Sequence, residues 1–175
     1  MDVKTKETLA ESMRGFHLPR YAELPAVGLY LEQTAAYINH CLAPLGPVEI
    51  TGSMIRNYVK MGLVNNPVQK QYHADHIAHL MAIAILKHVL PLEYIQEMFV
   101  RQRTVYTDQV AYDYFCTELE NILYFRFGVK DTVEDVGDTD TVIKEMLRSA
   151  VVAVSYIIHL HACFVRLPAS EMPEL

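Results

Sequence analysis

Arg56, Asn57 and Lys60 fall at the spacing of one helical face within Ile50-Thr-Gly-Ser-Met-Ile-Arg-Asn-Tyr-Val-Lys-Met-Gly-Leu-Val64. Their chemistry suits nucleic acid. Arginine grips phosphate or the two acceptors on a guanine edge, asparagine pairs with adenine, and lysine serves as a point charge on phosphate. Thr51 and Ser53, at the amino end of the same segment, can add neutral phosphate bonds. Either can also cap a helix start, and Gly62 supplies the left-handed residue that ends one. Ile55, Tyr58 and Val59 lie on the opposite side, so the helix has an inner apolar face and an outer cationic face without an acid. Tyr58 is expected in the packing rather than against bases.

What positions this helix is written in the residues around it. Asn65-Asn66-Pro67 is a turn signal, and Val68-Gln69-Lys70-Gln71-Tyr72 alternates like a small β-ribbon that would carry Lys70. Helical spacing then resumes in Ile77, Leu80, Met81, Ala84, Ile85 and Val89, and again after Pro91 in Leu92, Ile95, Met98 and Phe99. The order is helix, wing, helix, helix. Upstream, Leu31, Ala35, Ile38 and Leu42 mark a helix over 29–42 that would pack behind the first.

Ile55-Arg-Asn-Tyr-Val-Lys-Met-Gly-Leu-Val64, Tyr72 to Leu80 and Leu92-Glu-Tyr-Ile95 together resemble the three signature blocks of the MerR-type winged helix-turn-helix. More closely, Pro19-Arg-Tyr-Ala-Glu-Leu-Pro25, Leu29-Tyr-Leu-Glu-Gln33, Asn57-Tyr-Val-Lys60 and Pro67-Val-Gln-Lys-Gln-Tyr72 resemble the domain-of-unknown-function family 1836 over roughly Phe16 to Phe127. That resemblance implies a MerR-like DNA-binding domain and a regulatory role, with no established ligand or target. The chain departs from the MerR pattern in two places. Its wing is shorter and lacks Gly-Tyr-Arg, leaving Lys70 as the wing's cation, and Ala43 to Glu49 is longer than a tight helix-helix turn.

Other reactive side chains have less to offer. His73, His76 and His79 stand three apart, which sweeps them too far around a helix to share a metal, and His159 with Cys163 supplies only two ligands. The sequence holds no glycine-rich phosphate loop, nucleophile signature or convincing carboxylate pair, so neither an enzyme nor a cofactor is expected. Arg148, Ser155, His159 and Arg166 form a polar stripe through an apolar helix. They read either as satisfied groups in a bundle or as a pocket for an unknown small-molecule effector, anionic or aromatic.

The net charge of −6 sits awkwardly with a DNA partner until it is divided along the chain. Residues 1–48 hold four basic and five acidic side chains, residues 49–103 six and four, and residues 104–175 five and twelve. The candidate reader is thus the one positive segment, but weakly so, and tight binding to double-stranded DNA would need two copies. The three cysteines, Cys41, Cys116 and Cys163, have no metal or redox spacing, and the amino terminus carries Asp2, Lys4, Lys6, Glu7 and Glu11 without a signal-type apolar run. A reduced cytoplasmic protein is expected. Ala150 to Val165 is uncharged but short for a membrane span, so a bundle or subunit interface is expected there.

The fold class expected is mostly α: an N-terminal extension over 1–28, a MerR-like winged helix-turn-helix with a small β-wing over 29–103, and a C-terminal helical oligomerisation or sensing region over 104–175. Residues 1–15 are expected to be frayed or a loosely attached helix. A long helix should run from Thr107 or Asp108 to Phe127, stopped by Gly128, and Asp138 or Asp140 should cap a last one to about Leu167. Val151, Val154, Ile158 and Val165 in that last helix suggest a homodimer interface. The function expected is sequence-specific DNA binding in transcriptional regulation. The alternative is a protein-interaction or ligand-sensing module that keeps the reader's fold without tight DNA binding.

Overall fold

The computed structural model describes residues 3–137 and 141–166. Seven α-helices occur among them: α1 (Val3–Met13), α2 (Leu31–Leu42), α3 (Gly52–Lys60), α4 (Ala74–Leu86), α5 (Leu92–Arg103), α6 (Asp108–Arg126) and α7 (Val142–Arg166). Every residue of α4 from His76 to Leu86 is buried. A helix apolar on all sides has to be enclosed, and α2, α5, α6 and α7 pack around it. The helix boundaries follow local chemistry. Thr107 Oγ1 accepts the Val110 N–H at 3.3 Å to start α6, and Gly128, at φ +74°, follows its end. Asp138 and Asp140 lie outside the described residues, as does Leu167; Thr141 Oγ1 accepts the Lys144 N–H at 3.3 Å at the start of α7.

The amino-terminal segment is built into this body. Leu9, Ala10 and Met13 of α1 are buried against α6 and α7, so the segment expected to be frayed or a loosely attached helix forms a helix packed into the core. After it, residues 16–24 run along α6 by polar clamps. Arg20 makes two parallel bonds to Glu120, at 2.7 and 2.6 Å, and Glu120 also accepts the Leu18 N–H at 2.8 Å. The Tyr21 N–H donates to Asp113 at 2.7 Å. Buried apolar side chains form one cluster from Leu9 to Ala162, with no break at residue 28 or residue 103.

No β-strand occurs among the described residues, so the expected β-wing is reduced to two isolated antiparallel bridges, Val68 with Gln71 and Leu29 with Tyr72. The cause is local. Pro67 has no N–H to extend the ribbon, His73 already caps α4, and a ladder needs several residues on each side.

Glu118 of α6 is fully buried, and its closest cation is Arg148 Nε at 3.2 Å, on α7. Burial pushes its carboxyl pKa up, and Arg148 pulls it part of the way back. A carboxyl whose folded pKa exceeds its unfolded one costs stability at neutral pH, and that cost disappears as the pH falls below the unfolded value of about 4.3. Glu118→Gln should therefore match or exceed the wild-type urea midpoint at pH 7 and lose that relative advantage at pH 4. An equal deficit at both pH values would show that the ion pair outweighs the desolvation.

Candidate nucleic-acid interface

α3 is fixed from both ends and from behind. Thr51 Oγ1 accepts the Met54 N–H at 3.2 Å, which leaves Ser53 as the exposed hydroxyl of the first turn. At the other end Gly62 takes φ +76°, and the N–H groups of Leu63 and Gly62 donate to the carbonyls of Tyr58 and Val59, each at 3.0 Å. This paired closure uses the carbonyls that a helix end leaves open. Gly52, Ile55 and Tyr58 face inward. The long connection from α2 is held by Asn39, whose amide donates to the Ile50 carbonyl and accepts the Ile50 N–H, both at 2.8 Å.

Thr51, Ser53, Arg56, Asn57 and Lys60 are all exposed along the outer side of this helix. Lys70 is exposed at the tip of the Val68–Gln71 turn, where Gln69 and Lys70 take φ +51° and +65°. Two successive left-handed residues suit the right-handed twist of a tight hairpin, a geometry that normally selects asparagine and glycine. The turn is tied back by His76, whose Nδ1 accepts the His73 N–H at 3.0 Å while its Nε2–H donates to the Asn66 carbonyl at 3.2 Å. Arg56 is close enough to Tyr72 for its charge to oppose the upward push that burial gives the phenol. The cationic helix face and the hairpin are therefore neighbours. One acid intrudes: a Cβ on Gly52 would meet Glu32 Oε1 at 2.5 Å, so this carboxylate stands over the amino end of α3.

Tyr58 is only 4% exposed, and it packs in the core as its spacing suggests. Tyr58→Ala should cost about 3–5 kcal/mol in chemical denaturation, as large aromatic truncations do. A loss below about 1 kcal/mol would instead mark it as a surface contact residue.

His76 and His79 are engaged in structural bonds. In His79, Nδ1–H donates to the Asp75 carbonyl at 2.7 Å, so its Nε2 is left to accept from Arg103 at 3.1 Å, and burial lowers its pKa. No cluster of three or more potential metal ligands occurs among the described residues.

The stripe on α7 does not gather into one pocket. Arg148 pairs with Glu118 and, at 3.4 Å, with Asp135; Ser155 is buried and donates to the Val152 carbonyl at 2.7 Å. His159 sits edge-on against Phe127 with ring centres 5.0 Å apart, and Arg166 is exposed near α1. Helical rise explains the separation, since eighteen residues span roughly 27 Å even when they share a side. Sequence reading missed Asn39, Glu118 and Arg20. Each acts through a distant partner that no local spacing announces.

Fold and site together define a mostly helical protein that displays one polar, cationic helix face beside a short hairpin. The chain belongs to the family described as Domain of unknown function (DUF1836), whose model matches residues 19–118. No curated protein and no solved structure matches the chain. The matched span starts at Pro19, beside the Arg20 clamp, and takes in all of α2 to α5 and most of α6.

Proposed function

We propose that the chain is a sequence-specific DNA-binding transcriptional regulator acting as a homodimer, with α2, α3 and the Val68–Gln71 hairpin serving as a MerR-like winged helix-turn-helix. The observation that carries this reading is the acid-free row of Arg56, Asn57 and Lys60, exposed on a helix whose other side is locked into the core. In this reading α3 enters the major groove and Lys70 braces the hairpin on a phosphate. The backbone at Lys70 adds support. Lysine in a left-handed conformation is less comfortable than glycine, and such positions concentrate where a side chain is needed. Lys70→Gly should leave the unfolding midpoint unchanged or raised while weakening DNA binding. Unchanged binding would remove Lys70 from the interface.

Dimerisation uses the outer side of α7. Val151, Val154 and Ile158, expected at the interface, are instead buried within the chain's own core because α1, α4, α5 and α6 cover that side. The opposite side exposes Val142, Met146, Ser149, Ala153, Tyr156 and Leu160, at alternating steps of four and three residues. Leu160 and Phe164 are 57% and 66% exposed. That spacing is the seven-residue repeat of a helix-helix seam. At on the order of 100 Å² per apolar side chain, the row and its flanks approach the roughly 800 Å² per partner of a stable interface. A groove of about 960 Å³, lined partly by Leu90, Tyr94 and Met98, opens beside its first half. A second copy of α7 fits this surface because none of the six residues of the row is itself charged, although Arg126 stacks on the Tyr156 ring at 3.7 Å from its centre.

A gel shift of the full chain against pooled random duplexes at increasing salt tests the reading, because a phosphate-based grip weakens as salt rises. Light scattering should give twice the chain mass, and Leu160→Glu with Phe164→Glu should yield a folded monomer that binds DNA less tightly. A wild-type monomer at micromolar concentration would sink the homodimer. The second reading, a protein-interaction or ligand-sensing module, is favoured by Glu32 over the start of α3 and by the short hairpin. Absence of any salt-sensitive shift selects it.

A further inference from the structure

A cleft between α5, α6 and the first two turns of α7 is left unfilled by the core. Its outer part, about 180 Å³, and its inner part, about 60 Å³, share Gln102, Ala111, Ile143 and Leu147 as walls. Small residues create the space: Ala78 and Ala82 of α4 line the inner part, with Phe99 and Phe115. Unfilled apolar space forfeits packing at every wall, and a dry cavity of about 150 Å³ is enough to hold benzene.

The polar groups at the two ends differ. At the inner end they are already satisfied, since Gln102 Nε2 and Arg103 Nε donate to Asp108 at 3.4 and 3.3 Å and His79 Nε2 accepts from Arg103. Nothing there asks for a hydrogen bond. At the outer end Lys144 lies beside Tyr114, with Nζ 5.1 Å from the ring centre. Of the described acids, Glu118 and Asp135 both pair with Arg148. Lys144 itself is in none of the ion pairs among the described residues.

We propose that this cleft binds a small aromatic carboxylate, with the ring between Ala111, Ile143 and Leu147 and the carboxylate on Lys144 Nζ. A flat ring suits walls supplied by Phe99, Phe115 and Tyr114, which favour edge or offset contact with another ring. An anion suits a lysine at an apolar mouth, where lowered dielectric strengthens a charge-assisted bond. The site stands whether or not the chain binds DNA, because none of its residues belongs to α3 or the hairpin.

Calorimetric titration of the full chain with benzoate, benzyl alcohol and benzylammonium tests it. Benzoate should saturate one site per chain, benzyl alcohol should bind roughly tenfold more weakly for want of the charge, and benzylammonium should not bind. Lys144→Gln should bring benzoate down to the level of benzyl alcohol. Ala111→Leu, which grows into the cleft, should abolish both without lowering the thermal unfolding midpoint. Failure of benzoate to saturate at tens of millimolar would overturn the proposal, as would unchanged benzoate affinity in Lys144→Gln. Should Ala111→Leu fail to fold, the lysine variant decides alone.

Discussion

DNA binding by the Arg56→Ala, Lys60→Ala double variant is expected to fall by at least about a hundredfold, with circular dichroism and the unfolding midpoint unchanged. Both side chains are exposed on the outer side of α3, and among the described residues neither takes part in an ion pair or hydrogen bond that holds the helix in place. Alanine is also the better helix former, so the backbone has no reason to change. Each lost contact to a base edge or phosphate is worth roughly 1–3 kcal/mol, and a dimer loses the pair twice. The two residues should separate by what else changes. A base-reading Arg56 loses discrimination at one position, whereas a phosphate-bound Lys60 lowers affinity evenly and reduces the salt slope by about one per contact. Wild-type affinity in the folded double variant would remove α3 as the recognition surface. Lost affinity accompanied by lost helicity would call for the single variants.

Removing residues 104–175 is expected to abolish cooperative folding altogether. The division expected from the sequence ends the reader at residue 103, but without α6 and α7 its central helix keeps cover only from α2 and α5. Tyr112, Phe115, Leu119, Ile122 and Leu123 of α6 and Val151, Val154 and Ile158 of α7 are all buried in the common core. At roughly 1.5–3 kcal/mol for each buried side chain, their combined burial matches or exceeds the net stability of about 5–15 kcal/mol that a domain retains. Truncation also strips Glu120 from Arg20 and Asp113 from Tyr21, so the amino-terminal segment comes loose as well. Urea titration followed by circular dichroism should give a shallow, non-cooperative change. A sharp transition with native helicity in the shortened chain would mean that residues 29–103 fold as a unit and that α6 and α7 merely dock on them.

The dependence of α4 on later helices also bears on how the two faces of α7 divide their work. One side completes the core of its own chain, and the other carries the row proposed for a second copy. Substitutions on the two sides should therefore behave differently. Changes at Val151 or Val154 should act on folding, whereas changes at Leu160 or Phe164 should act on the proposed association with little effect on the monomer's helicity.

Local residue order was enough to specify the helices after residue 28 and several of their ends. Thr51 or Ser53 before a helix and Gly62 after it read as its ends, as do Thr107 or Asp108 and Gly128 for α6, and the structure uses Thr51 and Thr107 as the caps. These features depend on bonds between residues three to five apart, so a short window contains them. The exposed face of Arg56, Asn57 and Lys60 follows likewise from the apolar side opposite it. Tertiary packing decided the rest. α7 is apolar on both sides, and no periodicity tells Val151 and Ile158 from Tyr156 and Leu160; only the presence of α1, α4, α5 and α6 on one side buries the first pair and leaves the second exposed. The same holds for Arg20 with Glu120, a hundred positions apart, and for Leu29 with Tyr72. Surfaces that meet across such separations are selected by the shape and burial of the whole chain, which no local spacing encodes.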